Sequence, residues 1–166
     1  IQPAGTGSAQ RDGKTVNFTL CKVMNKATVN VVYARNFLNL FKGAQAAGLD
    51  LNGGGGSYLP YDGAVARWQD RCGSRPISSG YAAPPCVGAR IAPPGKSNHE
   101  LGLAVDLTCP GNNSLGGHTT SRATFDRSDP CVAWVIQNSP SMGLYLQCEG
   151  TSGSYCESWH ISPTGG

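Results

Sequence analysis

Pro94-Gly95-Lys96-Ser97-Asn98-His99-Glu100-Leu101-Gly102-Leu103-Ala104-Val105-Asp106-Leu107 is the stretch from which the rest of the chain is read. Its second half, 103–107, has the length and apolar content of a strand. On a two-residue period Leu103, Val105 and Leu107 point into the core, and Ala104 and Asp106 point to the other face. Asp106 then stands on a polar face beside a small neighbour that leaves it room. His99 lies seven residues earlier, an odd number, so one unbroken strand cannot present both side chains on one side. Gly102 permits a sharp turn that brings His99 back over the Asp106 face.

A carboxylate beside a histidine on a half-buried strand has several readings. It can be a satisfied hydrogen-bonded pair, a structural His/Asp/His cluster, or a metal site. The chain has three histidines, His99, His118 and His160. The last sits in Glu157-Ser158-Trp159-His160. Two imidazoles and a carboxylate suit zinc and leave a fourth position for water. A carboxylate outside the ligand set then serves as general base, and Glu157 is the candidate. The H-E-x-x-H pattern of helical zinc peptidases is absent. His118, in Gly116-Gly117-His118-Thr119, reads as a solvent-exposed loop histidine.

Outward from this stretch, Val16, Phe18 and Leu20 alternate with polar residues as in a half-buried strand. Residues 1–14 lack periodicity and read as a flexible tail ahead of one domain over 15–166. Phe37, Leu40, Phe41, Ala44 and Ala47 recur at helical spacing within 29–47, with Gly48 as the terminating residue. Gly53–Gly56 is not a phosphate loop, because Ser57-Tyr58-Leu59 does not supply Gly-Lys-Ser/Thr. It reads as a flexible or closely packed turn. Residues 62–71 suggest a short helix with Val65 and Trp68, and 73–95 a loop. Asp129-Pro130 opens a further helix, with Val132, Val135 and Ile136 on its apolar face. Residues 144–146 and 159–161 are short strands. The fold class is α+β: a single small domain in which helices pack on an antiparallel sheet.

The chain's 166 residues carry a net charge of +3, and 14% of them are charged. Without a basic stripe, nucleic-acid binding is not expected. No apolar run is long enough to span a membrane. The seven cysteines form no C-x-x-C pair, which argues against a zinc ribbon and for an oxidising compartment. Chain proximity favours Cys72–Cys86, Cys109–Cys131 and Cys148–Cys156, although spacing leaves many pairings open. Cys21 would be the cysteine left over. An exported, disulfide-stapled monomer is the expectation.

The two segments, Ser-x-His-x-x-Gly-x-Ala-x-Asp and Glu-x-Trp-His, about 50 residues apart, together resemble the zinc D-alanyl-D-alanine carboxypeptidases of the VanY type. These bacterial cell-wall peptidases share a fold with the hedgehog signalling domain. The resemblance spans most of 29–162. It implies a Zn2+ cofactor held by His99, Asp106 and His160, Glu157 as general base, and peptidoglycan stem peptides as substrate. Ser97, Trp159 and Tyr58 are the substrate-side candidates. Ser97 would position the loop carrying His99, and Trp159 would line the cleft or serve as a plain core aromatic. One departure stands out. The family carries Tyr-Arg-Ser after the glycine run and a Gln soon after, and its Arg contacts the substrate carboxylate. Here the stretch is Tyr58-Leu59-Pro60, with Ala64 at the Gln position. An alternative alignment at Ser79-Gly80-Tyr81-Ala82 also lacks Arg. Arg67, Arg71, Arg75 and Arg90 are possible substitutes. Without one, endopeptidase cleavage (between L-Ala and D-Glu, or in a cross-bridge) gains weight. A zinc-stabilised binding module without turnover is the competing class.

Overall fold

The computed structural model describes residues 1–77, 86–88, 90–110 and 113–166. Two antiparallel sheets organise them. Strands β1 (Gln2–Arg11), β2 (Lys14–Val23) and β3 (Ala27–Asn30) form the first, in chain order. The second runs β4-β5-β7-β6, from β4 (Asn52–Gly56), β5 (Val105–Thr108), β7 (His160–Ser162) and β6 (Tyr145–Leu146). Helices α1 (Ala34–Ala46), α2 (Tyr61–Cys72), α3 (Pro130–Asn138) and the single turn α4 (Gln147–Gly150) complete the set.

The core forms where the amphipathic faces meet. Phe37, Leu40, Phe41 and Ala44 of α1 and Val132 and Val135 of α3 are fully buried. They share one cluster with Val23 and Val29 of the first sheet and Val105, Leu107 and Ile161 of the second. Ala47 lies outside α1 and is exposed, and Gly48 follows at φ +76°. Asp129 caps α3, its carboxylate accepting from the amides of Cys131 and Val132 at 3.0 Å, with Pro130 in the first turn. Trp68 of α2 packs separately, against Cys72, Cys86 and Ile91.

Four expectations need correction. Residues 1–14 are not a tail: Gln2–Arg11 pairs with Lys14–Val23 along its length, through a two-residue turn at Asp12-Gly13. Both turn residues have positive φ, 50° and 75°, as a tight hairpin turn requires. The glycine run is a strand rather than a turn, and two of its glycines are forced by proximity. A Cβ on Gly55 would stand 2.9 Å from Asp106 Cβ, and one on Gly53 would stand 2.6 Å from the Lys26 carbonyl oxygen. The strand 103–107 begins two residues later, at Val105, and all four of its residues are buried. It lies between β4 and β7, so its backbone is paired on both edges. Finally, Tyr58 points away from the cleft. Its hydroxyl bonds the Ser8 backbone and its ring packs edge-on against Phe18.

Three cysteine pairs stand at disulfide distance, Cys72–Cys86, Cys109–Cys131 and Cys148–Cys156, and Cys21 is buried without a cysteine partner. No helix among the described residues is long and apolar enough to cross a membrane.

Candidate metal centre

The strand pairing brings the separated ligands together. Asp106 of β5 is the register partner of His160 of β7 and of Gly56 of β4. His99 arrives from a single 3-10 turn, Asn98–Leu101. Gly102 ends that turn in the left-handed region at φ +65°, as the odd spacing demanded, and a Cβ there would stand 2.8 Å from the Asn30 amide nitrogen. Ser97 and Glu100 form a capping box around the turn. The Ser97 hydroxyl accepts from the His99 amide, which makes Ser97 a positioning residue for the ligand loop.

Glu100 is fully buried. Its carboxylate accepts from the amides of Gly95 and Ser97 at 2.9–3.2 Å, with Arg11 of β1 at 4.0 Å. Arg11 also donates to the Ser97 carbonyl. The N-terminal hairpin thus helps to hold the ligand loop. The Ser-x-x-Glu spacing at 97–100 is the sequence signal for this arrangement.

His99 Nε2, His160 Nδ1 and Asp106 Oδ1 stand 3.2, 3.2 and 3.3 Å apart. Donor atoms about 2.0 Å from a tetrahedral zinc are separated by about 3.3 Å. All three residues are buried. His99 Nδ1 lies 2.8 Å from the Ser57 carbonyl oxygen and donates to it, which leaves the Nε2 lone pair facing the triangle in the neutral ring. His160 Nε2 is buried with no partner among the described residues, so no hydrogen bond there orients the ring. A divalent cation at the triangle satisfies three converging lone pairs, and the residues fit zinc.

Without a cation, the imidazoles and the carboxylate lean on one another. Burial disfavours a charged His99, but its hydrogen bond to Asp106 and attraction to that carboxylate outweigh it, and the pKa rises. Burial likewise disfavours the Asp106 anion. Hydrogen bonds from His160 and His99 overcome it and hold the carboxyl well below the usual range.

Glu157 stands beside the triangle but outside it, with Oε2 3.9 Å from His160 Nδ1. The Tyr155 hydroxyl donates to Oε1 at 3.0 Å, and the Glu157 amide donates to Gln147 Oε1. Burial, followed by the Glu157 charge and hydrogen bond, raises the Tyr155 pKa and keeps the hydroxyl a donor. Neither Tyr155 nor Gln147 carried a sequence signal. Ser158, between base and ligand, is buried and tied to the Leu115 carbonyl at 2.6 Å. Trp159 both joins the core and lines the cleft. His118 is exposed, as expected, and it stacks on Trp159 with ring centroids 4.0 Å apart and planes 8° off parallel.

These residues open into one cleft of about 750 Å³. Leu59, Ala64, Arg67 and Arg71 line it from α2 and the segment before it, together with Arg90 and Lys96. Leu59 and Ala64 are the positions where Arg and Gln were expected, and both are apolar. The alternative alignment at 79–82 lies outside the described residues.

Among curated proteins, none matches the chain. Solved structures share the fold at low identity. The LdcB LD-carboxypeptidase, whose structure is described as revealing the molecular basis of peptidoglycan recognition, matches at TM-score 0.56 and 17% identity. The match covers 99% of this chain and 70% of that one. VanYB in complex with D-alanine-D-alanine matches at 0.57 and 21%, covering 90% and 78% of the two chains. A glutamate-to-alanine variant of the vancomycin resistance D,D-pentapeptidase VanY, in complex with Zn(II), matches at 0.56 and 19%, covering 87% and 78%. The family model described as VanY, D-alanyl-D-alanine carboxypeptidase, matches residues 26–165, which hold the second sheet, the ligand triangle and Glu157. The chain belongs to the VanY family of D-alanyl-D-alanine carboxypeptidases.

Proposed function

We propose that this protein is a zinc-dependent carboxypeptidase that removes the terminal D-alanine from peptidoglycan stem peptides outside the cytoplasm. The observation that carries the reading is the three-atom triangle of His99, Asp106 and His160 with the Glu157 carboxylate poised beside it. Family membership supports the substrate, and the D-alanine-D-alanine and Zn(II) complexes of the similar structures agree with it. Three cysteine pairs at disulfide distance support an oxidising, extracytoplasmic setting.

His99 Nε2, Asp106 Oδ1 and His160 Nδ1 would hold the zinc. When bound, the ion supplies Lewis-acid polarisation of water and of the scissile carbonyl. The Ser57 carbonyl keeps the His99 ring in the required tautomer. Tyr155 occupies Glu157 Oε1, which leaves Oε2 free to take a proton from the attacking water. Glu157 then delivers that proton to the leaving amine as the C–N bond breaks. Water is consumed, the shortened peptide gains a carboxylate, and D-alanine leaves as a free amino acid. A structural metal site would have no use for a carboxylate held in this way, and this favours turnover over a binding module.

The test is mass analysis of a stem pentapeptide ending in D-Ala-D-Ala, incubated with the protein with and without chelator. Chelator-sensitive loss of one alanine is expected. Internal fragments with the terminus intact would replace this reading by an endopeptidase, and no cleavage with retained binding would replace it by a binding module.

A further inference from the structure

We infer that Arg67 of α2 receives the C-terminal carboxylate of the peptide, as the anchor that selects a free chain end. The inference rests on the carboxypeptidase reading. The substrate of such an enzyme carries a full negative charge one residue beyond the scissile bond, about 3.8 Å further along the Cα trace. Taking that charge out of water requires a cation, and a guanidinium pairs with it best, through two parallel hydrogen bonds.

The described cleft offers four cations, and three are engaged. Lys96 pairs with Asp12 at 3.3 Å. Arg90 lies over the Tyr155 ring, 5.1 Å from its centroid. Arg71 already has interactions of its own and packs beside Gly88. Arg67 has no ion pair among the described residues. It lies one helical turn after Ala64, on the same face, and both line the cleft. Ala64 has only a methyl group there, and Leu59 at the head of this wall is apolar, so neither competes for the anion. Arg67 and the three ligand residues line the same cleft.

The experiment compares a stem pentapeptide with a free C-terminus against its C-terminal amide, using the zinc-loaded protein and its R67A and R67K variants, with R71A as a control. Wild type is expected to prefer the free acid. R67A should raise KM for the acid by about 10- to 100-fold, the worth of a charged hydrogen-bonded contact, with kcat nearly unchanged. The acid-over-amide preference should then disappear, survive partly in R67K, and persist in R71A. R67K also keeps the test open if R67A fails to fold. An acid preference that survives in R67A overturns the assignment and leaves the carboxypeptidase reading intact, as does equal cleavage of acid and amide by wild type. If wild type cleaves neither, the carboxypeptidase reading fails. Titration of D-Ala-D-Ala and its amide into zinc-loaded E157Q then decides the anchor separately. Acid-selective binding lost in E157Q/R67A supports Arg67, and unselective binding rejects it.

Discussion

The two sides of the cleft are built on different principles. The β5–β7 side carries Asp106 and His160 on paired backbone, held by the strand register, and His99 comes in from the adjoining turn, held by Ser57 and Ser97. The α2 side presents Arg67, which is exposed, and Ala64 from a helix that also buries Trp68 and Cys72, with Leu59 just ahead of it. Chemistry tolerates little displacement, so it sits where backbone hydrogen bonds and close packing determine position. Specificity needs only a reachable group of the right charge, so it sits on a wall whose side chains can change without disturbing the fold.

The sharpest way to break this contrast is to remove a ligand. His160→Ala should abolish stoichiometric zinc and reduce peptide cleavage to background, measured by metal analysis and peptide mass. Retained activity would mean the triangle is not the reacting centre. Glu157→Gln should cost about 10²- to 10⁴-fold in kcat while zinc content stays at one per chain. Gly55→Ala probes the packing behind the ligands. The added Cβ must push β4 off Asp106, which should cost about 1–3 kcal/mol in chemical denaturation. On the α2 wall, Arg67→Ala should leave stability within about 0.5 kcal/mol, as a substitution at an exposed position does. A large loss there would erase the distinction between the two sides.

The smallest effect concerns pH in the metal-free protein. His99 has a raised pKa, so its pairing with Asp106 contributes stability below the ordinary histidine value of about 6.5 and loses it as pH rises through the raised value. Asp106 has a lowered pKa, so its share is present above about 3.9 and is lost as pH falls through the lowered value. Zinc uptake near neutral pH should then displace a proton from His99 and strengthen as pH rises. Calorimetry in buffers of differing ionisation enthalpy reads this directly, and uptake without proton release would show His99 already neutral.

The site was legible where a motif is local and its residues are chemically unusual. His99, Gly102, Asp106, Glu157 and His160 each stood out in sequence, as did the Asp129-Pro130 helix start. Tyr58 stands where the family's Tyr-Arg-Ser stretch begins, which suggested a place at the substrate, whereas its ring packs on Phe18 and its hydroxyl bonds Ser8 of the hairpin. The hairpin itself was missed because β1 is exposed along most of its length and so shows no two-residue period. Its one strong signal, Asp12-Gly13, lay in the turn.

Residue identity by itself determined which groups can bind a cation, where the chain must turn sharply, and which helices have an apolar side. These follow from side-chain chemistry and local backbone sterics, which act over a few residues. Tertiary structure alone decided that four glycines form a strand against Asp106, that Arg11 supports the loop of His99, and that Tyr155 holds Glu157. It also decided that Arg67, rather than the other cleft cations, is left without an ion-pair partner among the described residues. Such outcomes depend on which distant surfaces meet, and strand pairing settles that across sequence separations of up to 56 residues, as between Asn52 and Thr108.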